Sequence, residues 1–187
     1  MASTSRRFTP EQVAALRAEI AVELISKKHE AAAQSFKCHP EIDQYLKEVA
    51  LQARIDGLSR PWVFLHHDRI AGYVTLSAST IQMAESEREK LSIIKQRVEW
   101  PALLIGMLGV DVGYRGLGLG DLLLEFAIGQ AQIVAEMMAV KFVVADVYDE
   151  PHAIAVYERN GFTRGAHKMT QGKRPKFWFA LPSEAGD

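Results

Sequence analysis

Between Arg115 and Gly120 the chain reads Arg-Gly-Leu-Gly-Leu-Gly, with glycine at alternate positions behind a single cation. A backbone free of β-carbons can curl there with its N–H groups pointing inward, which makes a cradle for phosphate oxygens. The apolar run Leu103 to Val110 precedes it as a buried strand. The residues after it, with Leu122, Leu123, Phe126, Ala127, Ile133, Val134 and Met137 at helical spacing, open a helix. Unpaired N–H groups at a helix start, the positive end of its dipole and the Arg115 charge together suit a pyrophosphate. No Gly-Lys-Ser/Thr follows, so a Walker loop with magnesium is excluded, and the Gly-x-Gly-x-Gly spacing does not fit the dinucleotide fingerprint. Taken alone, the glycines could equally do no more than tighten a strand-to-helix turn.

A second stretch, DVYDEPHAIAVYERNGF ending at Phe162, adds to the first. Together the two resemble the acetyl-coenzyme A binding core of the GNAT superfamily of N-acetyltransferases. Arg115, Gly118 and Gly120 match its Arg/Gln-x-x-Gly-x-Gly/Ala signature, and Ala153, Tyr157, Gly161 and Phe162 match its later Ala-x-x-x-Tyr-Glu-x-x-Gly-Phe signature. The resemblance implies an α/β fold with a central mixed sheet flanked by helices and a splayed parallel strand pair holding the thioester. It implies that Arg115, Gly116, Leu117, Gly118, Leu119 and Gly120 hold the pyrophosphate. It also implies that backbone N–H groups of Leu108 and Val110 face the acyl group, and that Tyr157 is the general acid. Glu150 stands at a coenzyme A contact where many relatives carry Asn.

Acyl transfer from a thioester to an amine needs a held donor, a neutral amine, an N–H for the developing oxyanion and a proton for the departing thiolate. A thiol of pKa about 8.5 and a phenol of about 10 leave Tyr157 protonated at neutral pH and able to donate. The alternative is a buried aromatic whose hydroxyl merely finds a neighbour. No base stands out. The strand Leu103 to Val110 holds neither Glu nor His, and Asp111, Asp146 and Glu150 read equally as solvated or turn-forming carboxylates. His66 and His67 are adjacent, but strand alternation would send them to opposite faces and no Cys or His completes a set, so no metal is expected.

Several elements must position these groups. Thr9-Pro10-Glu11-Gln12 is a capped helix start, the helix running to about Ser26, with a seam of Val13, Leu16, Ile20 and Leu24 and with Phe8 stapled to Val13. That seam rests on this domain or on a partner chain, a homodimer being one form. His29 to Ser35 reads as a connection, and Pro40 to about Ile55 as a second helix closed by Gly57. PWVFLH and IAGYVTLSA form a hairpin, where Gly72 marks a bulge or a close approach. A short helix is expected within Ser79 to Glu99, carried by Leu91, Ile94 and Val98. KFVVADV is a buried parallel strand, Pro151 to Asn160 a helix, and KFWFAL a closing strand.

The 187 residues are enough for one domain and too few for two, with an N-terminal helical extension over residues 1–35. With 48% hydrophobic and 24% charged residues the composition is that of a soluble globular protein. No apolar run suits a membrane helix and no signal-like segment opens the chain, so no membrane is expected and the cytoplasm is the default location. The single cysteine, Cys38, reads as small core filler. A net charge of −1 gives no global attraction to nucleic acid; only Lys168, Lys173, Arg174 and Lys176 make a local basic strip.

FKCHPEIDQYLKEVALQARIDGLSRPWVFL, from Phe36 to Leu65, further resembles the N-terminal half of GNAT toxins from toxin–antitoxin systems. Phe36, Cys38, Leu46, Ala50, Gly57, Ser59 and Arg60 fall into that pattern. This resemblance implies acetylation of the amino group of aminoacyl-tRNA, with an antitoxin as a possible partner. Met107 stands where many such toxins have Arg, and a general small-amine or protein-amine acetyltransferase remains an alternative. So does a non-catalytic acetyl-coenzyme A binding module.

Overall fold

The computed structural model describes residues 9–91, 99–165 and 174–182. Among the described residues seven strands, β1 (Ile20–Leu24), β2 (Arg60–His66), β3 (Arg69–Gln82), β4 (Glu99–Val110), β5 (Phe142–Asp146), β6 (Thr163–Arg164) and β7 (Lys176–Ala180), hydrogen-bond in the order β1-β2-β3-β4-β5-β7-β6. Of these, β4 and β5 run parallel; β1 with β2, β2 with β3, and β7 with β5 and β6 are antiparallel. Helices flank this mixed sheet, as expected. By its internal contacts the chain divides into two compact units, Met1–Leu76 with Met107–Leu123, and Ser77–Gly106 with Leu124–Asp187.

The first unit begins with α1 (Pro10–Glu19), whose start is as the sequence predicts: Thr9 and Gln12 cap one another and Pro10 takes the first turn. Its end is not. The helix stops at Glu19, and Ile20–Leu24 form β1, paired with β2 (Arg60–His66) from Ile20↔His66 to Leu24↔Trp62. Ile20 and Val22 are β-branched and fit a pleated edge as well as a helix, so sheet pairing overrides the helical spacing. Phe8 lies outside the described residues. The seam rests on this chain itself: Leu16 is buried with Ala71, Tyr114 and Leu119, with Ile20, Val110, Leu117 and Leu122 around them.

The expected connection His29 to Ser35 is instead a 3-10 turn, Lys27–His29, followed by α2 (Glu30–Ser35). The second helix runs as α3 (Pro40–Gln44), a wider π-turn at Tyr45–Val49, and α4 (Ala50–Ile55), with Gly57 in the left-handed conformation just past its end. β2 and β3 (Arg69–Gln82) make the hairpin, and its register shifts between Phe64 and Leu65 beside the Phe64↔Gly72 pair. The strip of β4 that carries Leu108 and Val110 lies hard against the second helix. A Cβ at Gly109 would come within 2.6 Å of Ile42 Cγ2, and the Tyr73 hydroxyl donates to the Ile42 carbonyl at 2.7 Å.

In the second unit, β5 pairs with β4 from Ala102↔Phe142 to Ile105↔Ala145 and with β7 (Lys176–Ala180) on its other side. Parallel pairing stops there, whereas β4 continues to Val110. Phe142 to Ala145 are fully buried, which is why this stretch reads as unbroken apolar sequence. Ile81, Met83, Trp100, Ala102, Phe142 and Val144 form one core cluster. Ser79 to Gln82 finish β3, and the expected short helix follows at Glu85–Lys90 (α5), with no buried residue. Ile94 and Val98 lie outside the described residues.

Along α6 (Leu119–Ala135) the buried positions are Leu119, Leu123, Leu124, Ala127 and Ala131. Ile133 and Met137, expected on that stripe, are exposed. Helical spacing alone left the phase of the stripe open, and small alanines mark the buried face better than the large terminal residues do. The chain ends its described part with α7 (Pro151–Arg159), the two-residue β6 (Thr163–Arg164) and β7.

Candidate acetyltransferase site

β4 delivers the chain to Asp111, which shapes everything that follows. Its buried carboxylate caps a 3-10 turn at Val112–Tyr114, accepting the Gly113 N–H at 2.9 Å through Oδ1 and the Lys37 N–H at 2.9 Å through Oδ2. Its own N–H donates to the Ala71 carbonyl. Asp111 is thus turn-forming and buried rather than solvated. Arg69 Nη2 stands 3.9 Å from Oδ1.

The Gly-rich turn then opens α6. Gly116 and Gly118 have φ of 81° and 72°, a left-handed region that a Cβ makes costly, and the Gly118 carbonyl accepts the N–H of Leu122 as the first helical bond. Leu119 and Gly120 stand at the start of this 17-residue helix, ahead of that first bond, where N–H groups point outward along the helix axis. Gly120 lies inside the helix, so the conformational demand falls on Gly116 and Gly118. Leu119 is buried beneath the turn and Leu117 packs beside it. Arg115 is exposed at the mouth, with Nη2 donating to the Cys38 carbonyl at 3.2 Å and standing 3.9 Å from its sulfur. Cys38 is half-buried, beside this cation and not deep in the core.

One neighbour of the turn was not legible in the sequence. A Cβ built at Gly118 would stand 3.4 Å from Val13 Cγ1 and 3.9 Å from Arg17 Nη2. The first helix therefore brings a second guanidinium beside the turn. The capping box announces that helix, but nothing local announces where it packs.

Tyr157 is buried on α7, edge-on to Phe162 with centroids 5.2 Å apart and 6.0 Å from Phe177. Gly161, at φ 83°, ends the helix and turns the chain so that the Phe162 N–H donates to the Tyr157 carbonyl at 3.1 Å. That is the physical content of the Tyr-Glu-x-x-Gly-Phe pattern. Burial pushes the Tyr157 phenol above its ordinary pKa, and the Asp146 carboxylate pushes it further the same way. Asp146 itself pairs with Lys176 Nζ at 3.2 Å, as their cross-strand register requires. Glu150 precedes α7 and pairs with His152 at 3.2 Å.

Of the basic strip, Lys176 is engaged by Asp146 and Arg174 lies 3.9 Å over the Tyr148 ring, while Lys168 and Lys173 fall outside the described residues. The expected separation of His66 and His67 does not hold. His67 occupies the hairpin turn with φ 53°, which breaks strand alternation, and the two rings lie 4.3 Å apart.

The Acetyltransferase (GNAT) domain family matches residues 58–164, more than half the chain, and both signature turns. The chain belongs to the GNAT acetyltransferase family. It is an N-acetyltransferase with acetyl-coenzyme A as cosubstrate, as the two motifs imply. It is 29% identical over 119 residues to a tRNA-acetylating toxin of Mycobacterium tuberculosis (strain ATCC 25618 / H37Rv), covering 63% of this chain and 70% of that protein. Its fold is similar to AtaT complexed with acetyl-methionyl-tRNAfMet, with a TM-score of 0.72 at 16% identity, covering 86% of this GNAT chain and 94% of the other. A mutant of the toxin AtaT bound to the C-terminus of the antitoxin AtaR and acetyl-CoA superposes with a TM-score of 0.67 at 15% identity, over 87% and 93% of the two chains. Among the described residues no helix is long and apolar enough to cross a membrane.

Proposed function

We propose that this GNAT enzyme transfers the acetyl group of acetyl-coenzyme A to the amino group of an aminoacyl-tRNA. The relation to a tRNA-acetylating toxin over 63% of the chain carries the choice of acceptor. The donor side rests on the turn: Gly116 and Gly118 in left-handed conformation, a long helix opening behind them, and Arg115 at the mouth fit a pyrophosphate. Bound there, acetyl-coenzyme A supplies an acyl group activated as a thioester.

The chain's own groups then have separate tasks. Arg115 and the N–H groups of Gly116, Leu117, Gly118, Leu119 and Gly120 hold phosphate oxygens. The N–H groups of Leu108 and Val110 stabilise negative charge developing on the thioester oxygen. As the amine nitrogen bonds to the carbonyl carbon and the carbon–sulfur bond breaks, the Tyr157 hydroxyl gives its proton to the departing thiolate, and the proton shed by the nitrogen passes through water to restore the phenol. Its raised pKa keeps that proton in place across the physiological range. Asp111 shapes the turn and is no base, and Glu150, paired with His152, contributes a local charge near the donor and not a proton acceptor. A proteinaceous antitoxin and a second copy of the chain are partners consistent with this reading.

A second reading, acetylation of a small or protein amine, is favoured by the net charge of −1 and by the engagement of Lys176 with Asp146. The two are separated by incubating the protein with labelled acetyl-coenzyme A and mixed aminoacyl-tRNAs. Label on the aminoacyl group is expected. Its absence, under conditions where a peptide or small amine is acetylated, would leave only the second reading.

A further inference from the structure

Glu19, His66 and His67 converge at one edge of the first unit, at the end of α1 and the tip of the β2–β3 hairpin. The register explains the meeting: Ile20 pairs with His66, so the residue before Ile20 arrives beside the turn, and the positive φ of His67 swings its ring to the same side. Glu19 Oε2 stands 3.0 Å from His66 Nε2 and 3.7 Å from His67 Nε2, and one ligand atom from each of the three lies within 4.8 Å of the others. Tetrahedral ligands about 2.0–2.1 Å from a zinc ion sit roughly 3.3–3.4 Å from one another, so a small contraction would close this set around an ion.

The other nitrogen of His66 supplies the second feature a metal ligand needs. Nδ1 lies 3.0 Å from the Tyr114 hydroxyl, whose ring packs edge-on to the imidazole at 5.5 Å. When an ion takes the place of the proton between Nε2 and Glu19, donation from Nδ1–H to that oxygen holds the ring with its Nε2 lone pair on the ion. Tyr114 is itself buried, so the ring it orients is held by the core.

We propose that Glu19, His66 and His67 form a binding site for a divalent transition ion of the zinc class, with water completing the shell. Two imidazoles and one carboxylate are the donors such an ion prefers over magnesium or calcium. The site lies apart from the acyl-transfer chemistry and supplies no step to it. Its effect is mechanical: it ties the end of α1 to the hairpin, and α1 is the helix that sets Val13 and Arg17 beside Gly118.

The test uses the full chain, stripped with a chelator and titrated calorimetrically with zinc. One ion per chain and a rise in melting temperature are expected. His67→Asn, chosen because asparagine tolerates a positive φ, and Glu19→Gln should each weaken binding by about tenfold or more. Both side chains are exposed, so neither change disturbs the core. His152→Ala, which removes the histidine of a two-membered pair with Glu150, should leave binding unchanged. No saturable binding, or binding indifferent to both His67→Asn and Glu19→Gln, would overturn the proposal.

Discussion

Val13 and Gly118 face one another across the Gly-rich turn, at a separation that would leave 3.4 Å between Val13 Cγ1 and a Cβ added to the glycine. Space for a methyl group therefore exists, and the obstacle to one is the backbone: φ is 72°. Gly118→Ala should cost roughly 1–2 kcal/mol of stability from that strain. Gly118→Glu adds a carboxylate where phosphate belongs and should abolish coenzyme A binding in a chain that still folds. Calorimetric titration of coenzyme A measures this, and unaltered affinity would show that the pyrophosphate lies elsewhere.

Tyr157→Phe keeps the ring against Phe162 and Phe177 and removes the proton donor. Acetyl-coenzyme A affinity should persist while kcat falls by about 10²-fold or more. The pH dependence has a definite sign. Burial raises the folded-state pKa, so the stability conferred by keeping the phenol neutral is complete below the ordinary value near 10 and is lost as pH rises through the folded value. Wild-type turnover should therefore show no limb from Tyr157 below about pH 10. A limb in that range that vanishes in Tyr157→Phe would mean a phenol free to ionise in the working enzyme.

Asp111→Ala removes the acceptor of the Lys37 and Gly113 N–H groups at a buried position. Leaving two donors without it should destabilise the chain by roughly 2–4 kcal/mol, read from urea unfolding. Asp111→Asn keeps an acceptor oxygen and should lose less. If Asp111 were the base for the incoming amine, both variants would lose turnover alike, Asp111→Asn included where it stays folded.

What could be read from the sequence divides along physical lines. The turn, the parallel strand and the Tyr157 helix were legible because each is specified locally, by glycines that need positive φ, by a fully apolar run and by a Gly-terminated helix. Ile20 to Leu24 was misread because β-branched residues satisfy a helical stripe and a strand alike, and the choice is made by β2, about forty residues away. The side-by-side placement of His66 and His67 depended on one turn residue adopting φ 53°, which no spacing rule signals. Arg17 beside Gly118 is a tertiary contact between distant segments, and only the packing of Leu16 against Tyr114 and Leu119 creates it.

The acceptor gives the last prediction. Binding of tRNA releases counterions, so log K should fall with log salt by roughly 0.7–0.9 per phosphate contact. The basic strip near the end of the chain is the place to look, and its members are unequal. Lys176 is committed to Asp146, whose charge adds to the larger effect of burial on the Tyr157 phenol; its loss should disturb stability as well as any tRNA contact. Arg174 lies over the Tyr148 ring, and its planar guanidinium has the fork geometry that suits a phosphate. The double change Lys173→Ala with Arg174→Ala should therefore flatten the salt slope and weaken use of aminoacyl-tRNA, with coenzyme A affinity unchanged. An enzyme whose acceptor is a small amine would show neither the slope nor its loss. Full activity toward aminoacyl-tRNA with an unchanged slope would place the phosphate contacts on another face of the chain.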